Sequence, residues 1–205
     1  MSQIVLPLIP QATGPARIVI GPANAHVAEA LGHPENWPFR TAVLTGPPRS
    51  GKSLFARWFE ANASEHGGEA IDNAQALDEA ELFHRWNRAQ EQGTPLLVVG
   101  GHPPWDIALP DLKSRLGAAL QLEIGLPDDA MAAELLALHA EQCALPLSAE
   151  AADYLVPRAG RSYADLEKLV AAIDRLSLER KVPATHSIWR AALESVHGPD
   201  EPRLL

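Results

Sequence analysis

GPPRSGKS, residues 46–53, sets a glycine five positions ahead of a Gly-Lys-Ser triplet, the spacing of a phosphate-binding loop. Its flanks fit that reading. TAVLT (41–45) is an apolar run that reads as a buried strand, and SLFARWFEAN (53–62) carries Leu54, Phe55, Trp58 and Phe59 at helical spacing. Between strand and helix, Gly46 and Gly51 let the backbone curl so that successive N–H groups and the helix N-terminus converge on phosphate oxygens. Lys52 then reaches the β- and γ-phosphates, and the Ser53 hydroxyl holds magnesium. The alternative is a glycine-rich turn between a strand and a helix.

The chain has 205 residues, of which 46% are hydrophobic. That is enough for one α/β core with a small appendage. Seventeen basic residues stand against 26 acidic ones, a net charge of −9, and Lys and Arg gather into no patch. A field of that sign argues against the chain gripping nucleic acid by itself. A single cysteine, Cys143, excludes an internal disulfide and suits a reducing compartment. Neither a signal-peptide pattern nor an apolar run of membrane-spanning length is present. The expectation is a cytoplasmic protein with no membrane contact.

Outward from the loop, residues 1–17 hold three prolines and read as an extended arm containing QIVLPL (3–8). Ile18–Ile20 reads as a short extended segment and Ala23–Leu31 as a helix, with Trp37 as a packing anchor in the loop that follows. Glu69–Asp72 is the weakest strand. Asp72, at its C-terminal end, would face the phosphate loop and bind magnesium, or would serve as a plain turn aspartate. A helix is expected over Asp78–Gln92, a strand over Leu96–Val99, a short helix in DLKSRLG (111–117) and a strand over Ala118–Gly125. Strands separated by helices imply a parallel sheet of the nucleotide-binding type. Past Leu126 four helices are expected, Asp128–Cys143, Ser148–Arg158, Ser162–Arg180 and Thr185–Val196, each opened by Asp, Ser or Thr.

Taken in order, IVIGPAN (18–24), GPPRSGKS, IDN (71–73), LFHRWNRAQEQGTPLLVVGGHPP (82–104) and LPDLKSRL (109–116) resemble an AAA+ module, and more closely the DnaA-related Hda family. The resemblance spans most of the chain. It implies an arm at 1–17, an AAA+ phosphate-loop core at 18–126, an all-helical lid at 127–197 and a tail at 198–205. The interval from Asn62 to Glu69 is too short for the usual edge strand and extra helix, so the sheet should be reduced to about four strands. Hda proteins resemble the ATPase core of the replication initiator DnaA without its DNA-binding domain, and this chain shows no helix-turn-helix.

Several roles follow from the resemblance alone. Ile18, Val19, Gly21, Pro48, Arg49, Ser50, Gly51, Lys52, Ser53 and Leu54 would contact ADP or ATP, with Ser53 and Asp72 on Mg2+. Gln3, Leu6, Pro7 and Leu8 match the family's motif for the DNA polymerase sliding clamp, in which an extended arm lays leucines into an apolar groove. Arg115 matches an arginine finger presented in trans; an ordinary surface arginine is the alternative. The lid arginine that senses nucleotide falls at Ala164, which leaves Arg161 as the nearest candidate.

Beside Asp72 stands Asn73, where a self-sufficient ATPase of this type carries an acidic residue. An amide can orient water but cannot accept its proton near neutral pH. His84 and His102 could be offered as bases, although such histidines are more often structural. The expected activity is therefore regulatory. Bound to ADP and to the DNA-loaded clamp, and touching DNA only through it, the protein would stimulate hydrolysis by DnaA with weak or no ATPase of its own. A homo-oligomer is compatible with this. The alternatives are a small phosphate-loop kinase or NTPase with its own substrate, and an AAA+ adaptor that activates nothing.

Overall fold

The computed structural model describes residues 17–63, 67–102 and 105–197, and its chain contacts divide it into two compact units that meet in sequence at Gly125–Leu126. The clamp-motif residues Gln3, Leu6, Pro7 and Leu8 lie outside the described residues, as does the tail.

The first unit is built on four parallel strands, β1 (Thr41–Thr45), β2 (Glu69–Ile71), β3 (Leu96–Val99) and β4 (Leu120–Glu123), in the order β2-β3-β1-β4. Thr41–Leu44 pair with Leu96–Val99, Ala42–Thr45 with Leu120–Glu123, and Glu69–Ile71 with Leu96–Val98. The reduced four-stranded parallel sheet expected from the short 62–69 interval is therefore present. The helices are α1 (Ala25–Leu31), α2 (Lys52–Asn62), α3 (Glu79–Gln92) and α4 (Pro110–Ala118).

Side chains alternate across each strand, so Val43, Ile71, Leu96 and Val98 share one buried cluster with Leu82 and Trp86 of α3 and Leu112 and Leu116 of α4. Phe55 and Phe59 of α2 are fully buried, and Phe59 stacks on Trp37 at 5.1 Å between ring centroids. Trp37 is anchored as expected, its indole N–H donating to the Ala30 carbonyl at 2.8 Å. The edge strand β2 is tied to its surroundings at Glu69 and Ala70. Glu69 accepts from Arg85 through both Nε and Nη2 at 2.8 and 2.6 Å, and Glu60 accepts from the Ala70 N–H at 3.2 Å. A carboxylate on the open N–H row blunts a sheet edge.

One local expectation needs correction. The helix expected over Ala23–Leu31 starts at Ala25. The reason is Asn24, which is 1% exposed: its Oδ1 accepts from the Gly21 N–H and its Nδ2 donates to the Val19 carbonyl, both at 2.9 Å. The asparagine thus closes a turn where helix was expected.

The second unit contains α5 (Asp129–Gln142), α6 (Ala149–Leu155), α7 (Tyr163–Arg180) and α8 (His186–His197). Asp128, Ser148 and Ser162 cap α5, α6 and α7 by accepting from Met131, Ala151 and Asp165 N–H groups. The expected helix 148–158 ends its α-helical part at Leu155 and continues as a 3-10 turn over Val156–Arg158. Pro157 is the cause, since it lacks the N–H an α-helix would need there. Leu136, Leu155, Leu169 and Ile173 form part of this unit's own core. Among the described residues, no helix is long and apolar enough to cross a membrane.

Candidate functional site

In a parallel sheet all strands end on one side, and ligands settle in the crevice beyond those ends. Here that side carries the phosphate loop after β1, Asp72 after β2 and Gly100–Gly101 after β3. The loop is joined to the sheet end by the Gly46 N–H, which donates to the Gly101 carbonyl at 3.3 Å, and by the Gly100 N–H on Leu44. Gly46 has φ 151°, and a Cβ there would come within 2.9 Å of Ile124 Cβ and 3.0 Å of its carbonyl oxygen. Gly51 caps α2 at φ 89°. Both glycines are required by conformation, and together they deliver the chain to the first turn of α2, where N–H groups have no intrahelical partner.

Lys52 folds back over the loop, its Nζ donating to the carbonyls of Gly46 and Pro47 at 2.8 Å each. Burial lowers its pKa, and the negative charge of Asp72 pushes it partly back up. Ser50 is 5% exposed and its Oγ has no partner among the described residues. Ser53 and Asp72 are exposed. An orphaned buried hydroxyl, an ammonium bonded to the loop's carbonyls, and the opening turn of α2 fit a phosphate chain. The hard oxygen donors of Ser53 and Asp72 fit magnesium. Pro48 and Arg49 are exposed at the loop tip, Arg49 with φ 65°, while Leu54 is half-buried.

Asn73 adopts φ 54°, and its N–H donates to Asp72 Oδ1 at 2.9 Å. Gln75, which the sequence did not single out, donates from Nε2 to Asn73 Oδ1 at 2.6 Å and lies over Gly101, where a Cβ would meet the Gln75 amide at 3.4 Å. Gln75 thus bonds to Asn73 and packs beside the glycine that binds the loop, and only the missing side chain at Gly101 marks it in the sequence.

The remaining candidates lie outside the loop in sequence. Ile18 is buried and Val19 half-buried, and the Gly21 N–H is taken by Asn24. Arg161 belongs to the helical unit, where it pairs with Asp129 at 3.3 Å. Arg115, on α4, is half-buried. It lies over the rings of Phe83 and Trp86 at 4.7 and 4.3 Å and donates from Nη1 to Asn87 Oδ1 at 2.8 Å.

The fold seen here recurs in solved proteins. The first similarity is to domain III of the Thermotoga maritima replication initiation protein DnaA, at 15% identity and a TM-score of 0.70 over 88% of this chain and 95% of that one. A second is to the Thermotoga maritima RuvB Holliday junction branch migration motor, at 18% identity and 0.62 over 87% of this chain and 71% of that one. The chain has a DnaA-like AAA+ fold. AMPPCP-bound DnaA from Aquifex aeolicus matches this chain at 19% identity and a TM-score of 0.60, over 80% of it; the match spans 66% of that DnaA. By sequence, the chain is 27% identical over 167 residues to an uncharacterised protein of Haemophilus influenzae, a match covering 78% of this chain and 71% of that one. No protein-family model matches.

Proposed function

We propose that this AAA+ protein is a DnaA-related regulator of the Hda type. In this reading it holds ADP with Mg2+ in the phosphate loop, is tethered to the sliding clamp through Gln3, Leu6, Pro7 and Leu8, and applies Arg115 to the ATP of DnaA. One observation supports the reading: beside Asp72, where a self-sufficient ATPase would carry an acid, stands Asn73, whose amide oxygen accepts from Gln75. Such a site suits retention of a nucleotide better than its hydrolysis.

Each residue has a separate task. Lys52 would exchange its loop carbonyls for phosphate oxygens, and Ser53 and Asp72 would hold the magnesium ion, which when bound neutralises phosphate charge. The Asn73 amide can orient water but takes no proton from it. Arg115 would act elsewhere, on charge developing at a neighbour's γ-phosphate, where a trans guanidinium is worth about 10³ to 10⁵ in rate in well-studied GTPases. A second reading, an adaptor that binds partners and activates none, is favoured by the contacts Arg115 already makes with its own subunit.

The test is DnaA's ATP turnover with and without this protein, ADP, clamp and DNA. Stimulation lost in Arg115→Ala, with clamp and ADP binding retained, is the expected result. Equal stimulation by that variant removes the finger and leaves the adaptor.

A further inference from the structure

We propose that Phe83, Trp86 and Asn87 are positioning residues that hold the Arg115 guanidinium with its charge unspent, ready for a phosphate. The proposal rests on the reading of Arg115 as a trans-acting group. The three residues stand at i, i+3 and i+4 on α3, so one helical face presents them together. Trp86 is 7% exposed and its indole N–H has no partner among the described residues. What that residue contributes at this place is its ring face, over which the guanidinium carbon lies at 4.3 Å.

Ring faces attract a guanidinium through their quadrupole and bring no counter-charge to it. Of the five donors, which all lie in the plane of the group, one on Nη1 is taken by Asn87 and the others have no partner among the described residues. The character of the partners matters as well. Arg85 and Arg88 pair with Glu69, Arg161 with Asp129, Arg175 with Glu179 and Arg190 with Glu194. Arg115 is held by two aromatic rings and an amide, all neutral. A staple between α3 and α4 would be served as well by a carboxylate, which would cancel the charge. A neutral cradle fixes the orientation and leaves both the charge and the in-plane fork for two phosphate oxygens.

The experiment measures stimulated turnover of the partner ATPase by the full chain with ADP, clamp and DNA, across concentrations of this protein. Phe83→Leu removes a ring face and should lower the maximal stimulated rate by about ten- to a hundred-fold, the scale of a misplaced catalytic group. The concentration giving half-maximal effect should stay within about two-fold, because contacts away from the reacting phosphate set it, and Phe83→Tyr should restore the rate. Asn87→Asp supplies the carboxylate that the cradle omits. It should cut stimulation similarly while thermal stability holds or rises, a combination that a merely structural role does not produce. Should Phe83→Leu fail to fold, Asn87→Asp decides. If Arg115→Ala stimulates like wild type, the finger reading fails and the cradle with it. If Arg115→Ala is inactive while Asn87→Asp and folded Phe83→Leu keep full stimulation, the cradle alone is overturned.

Discussion

Lys52 is an ammonium whose pKa is lowered by burial below the ordinary 10.5, with Asp72 opposing the shift. A phosphate beside it would raise the pKa. On the alkaline side, below 10.5, the unliganded lysine is therefore partly deprotonated and the liganded one is not, so nucleotide binding should take up protons there. Calorimetry in buffers of different ionisation enthalpy reads that uptake directly. Lys52→Ala should abolish it and weaken binding at least about ten-fold, or 1.4 kcal/mol; wild-type binding with no proton uptake would place the lysine away from the phosphates. Asn73 yields a second prediction at this scale. Asn73→Asp supplies a proton acceptor beside Asp72, so intrinsic ATP turnover should rise above a near-zero baseline while stimulation of a partner stays as it was. A turnover unchanged by the substitution would mean that more than the missing base holds hydrolysis back.

Among the elements, α7 carries a pH dependence of its own. Tyr163 is 2% exposed in its first turn, and burial pushes its phenol up to about 12 from an ordinary 10. The folded state then holds a proton that the unfolded chain has released, so this stabilisation is complete below pH 10 and is lost as pH rises from 10 toward 12. Denaturant unfolding across that range should show stability falling with pH, and Tyr163→Phe should flatten the fall. An identical slope in the variant would assign the alkaline sensitivity to another group. In the α/β unit the comparable element is β2, three residues long and paired on one side only. Its bonds to Arg85 and Glu60 hold the strand whose end carries Asp72, so in the proposed function edge-strand stability would be connected to magnesium binding.

For the whole molecule, the reading divides labour between an arm that recruits and a folded core that holds nucleotide. Removing residues 1–9 should abolish clamp binding and leave ADP affinity within about two-fold, because an extended recognition segment needs no folded support. Clamp affinity surviving the deletion would move the contact onto the folded part. Much of the core was legible from sequence alone. The phosphate loop is a local backbone signal, since Gly46 and Gly51 satisfy dihedral demands within eight residues. Strand and helix order follows from hydrophobic period, and the shortened 62–69 interval already implied a four-stranded sheet. The tertiary structure decided what period and spacing do not encode. Asn24 bonds across its own turn and delays α1, a competition between side-chain and helical hydrogen bonds that composition does not resolve. Gln75 matters only because Gly101, just past the end of β3, lies beside it, and Arg115 meets Asn87, 28 residues away in the chain, only because α3 and α4 pack together. Local residues specify the elements; which side chains of distant elements meet is set by the sheet order and the packing of helices on it, and that is where the site acquires its chemistry.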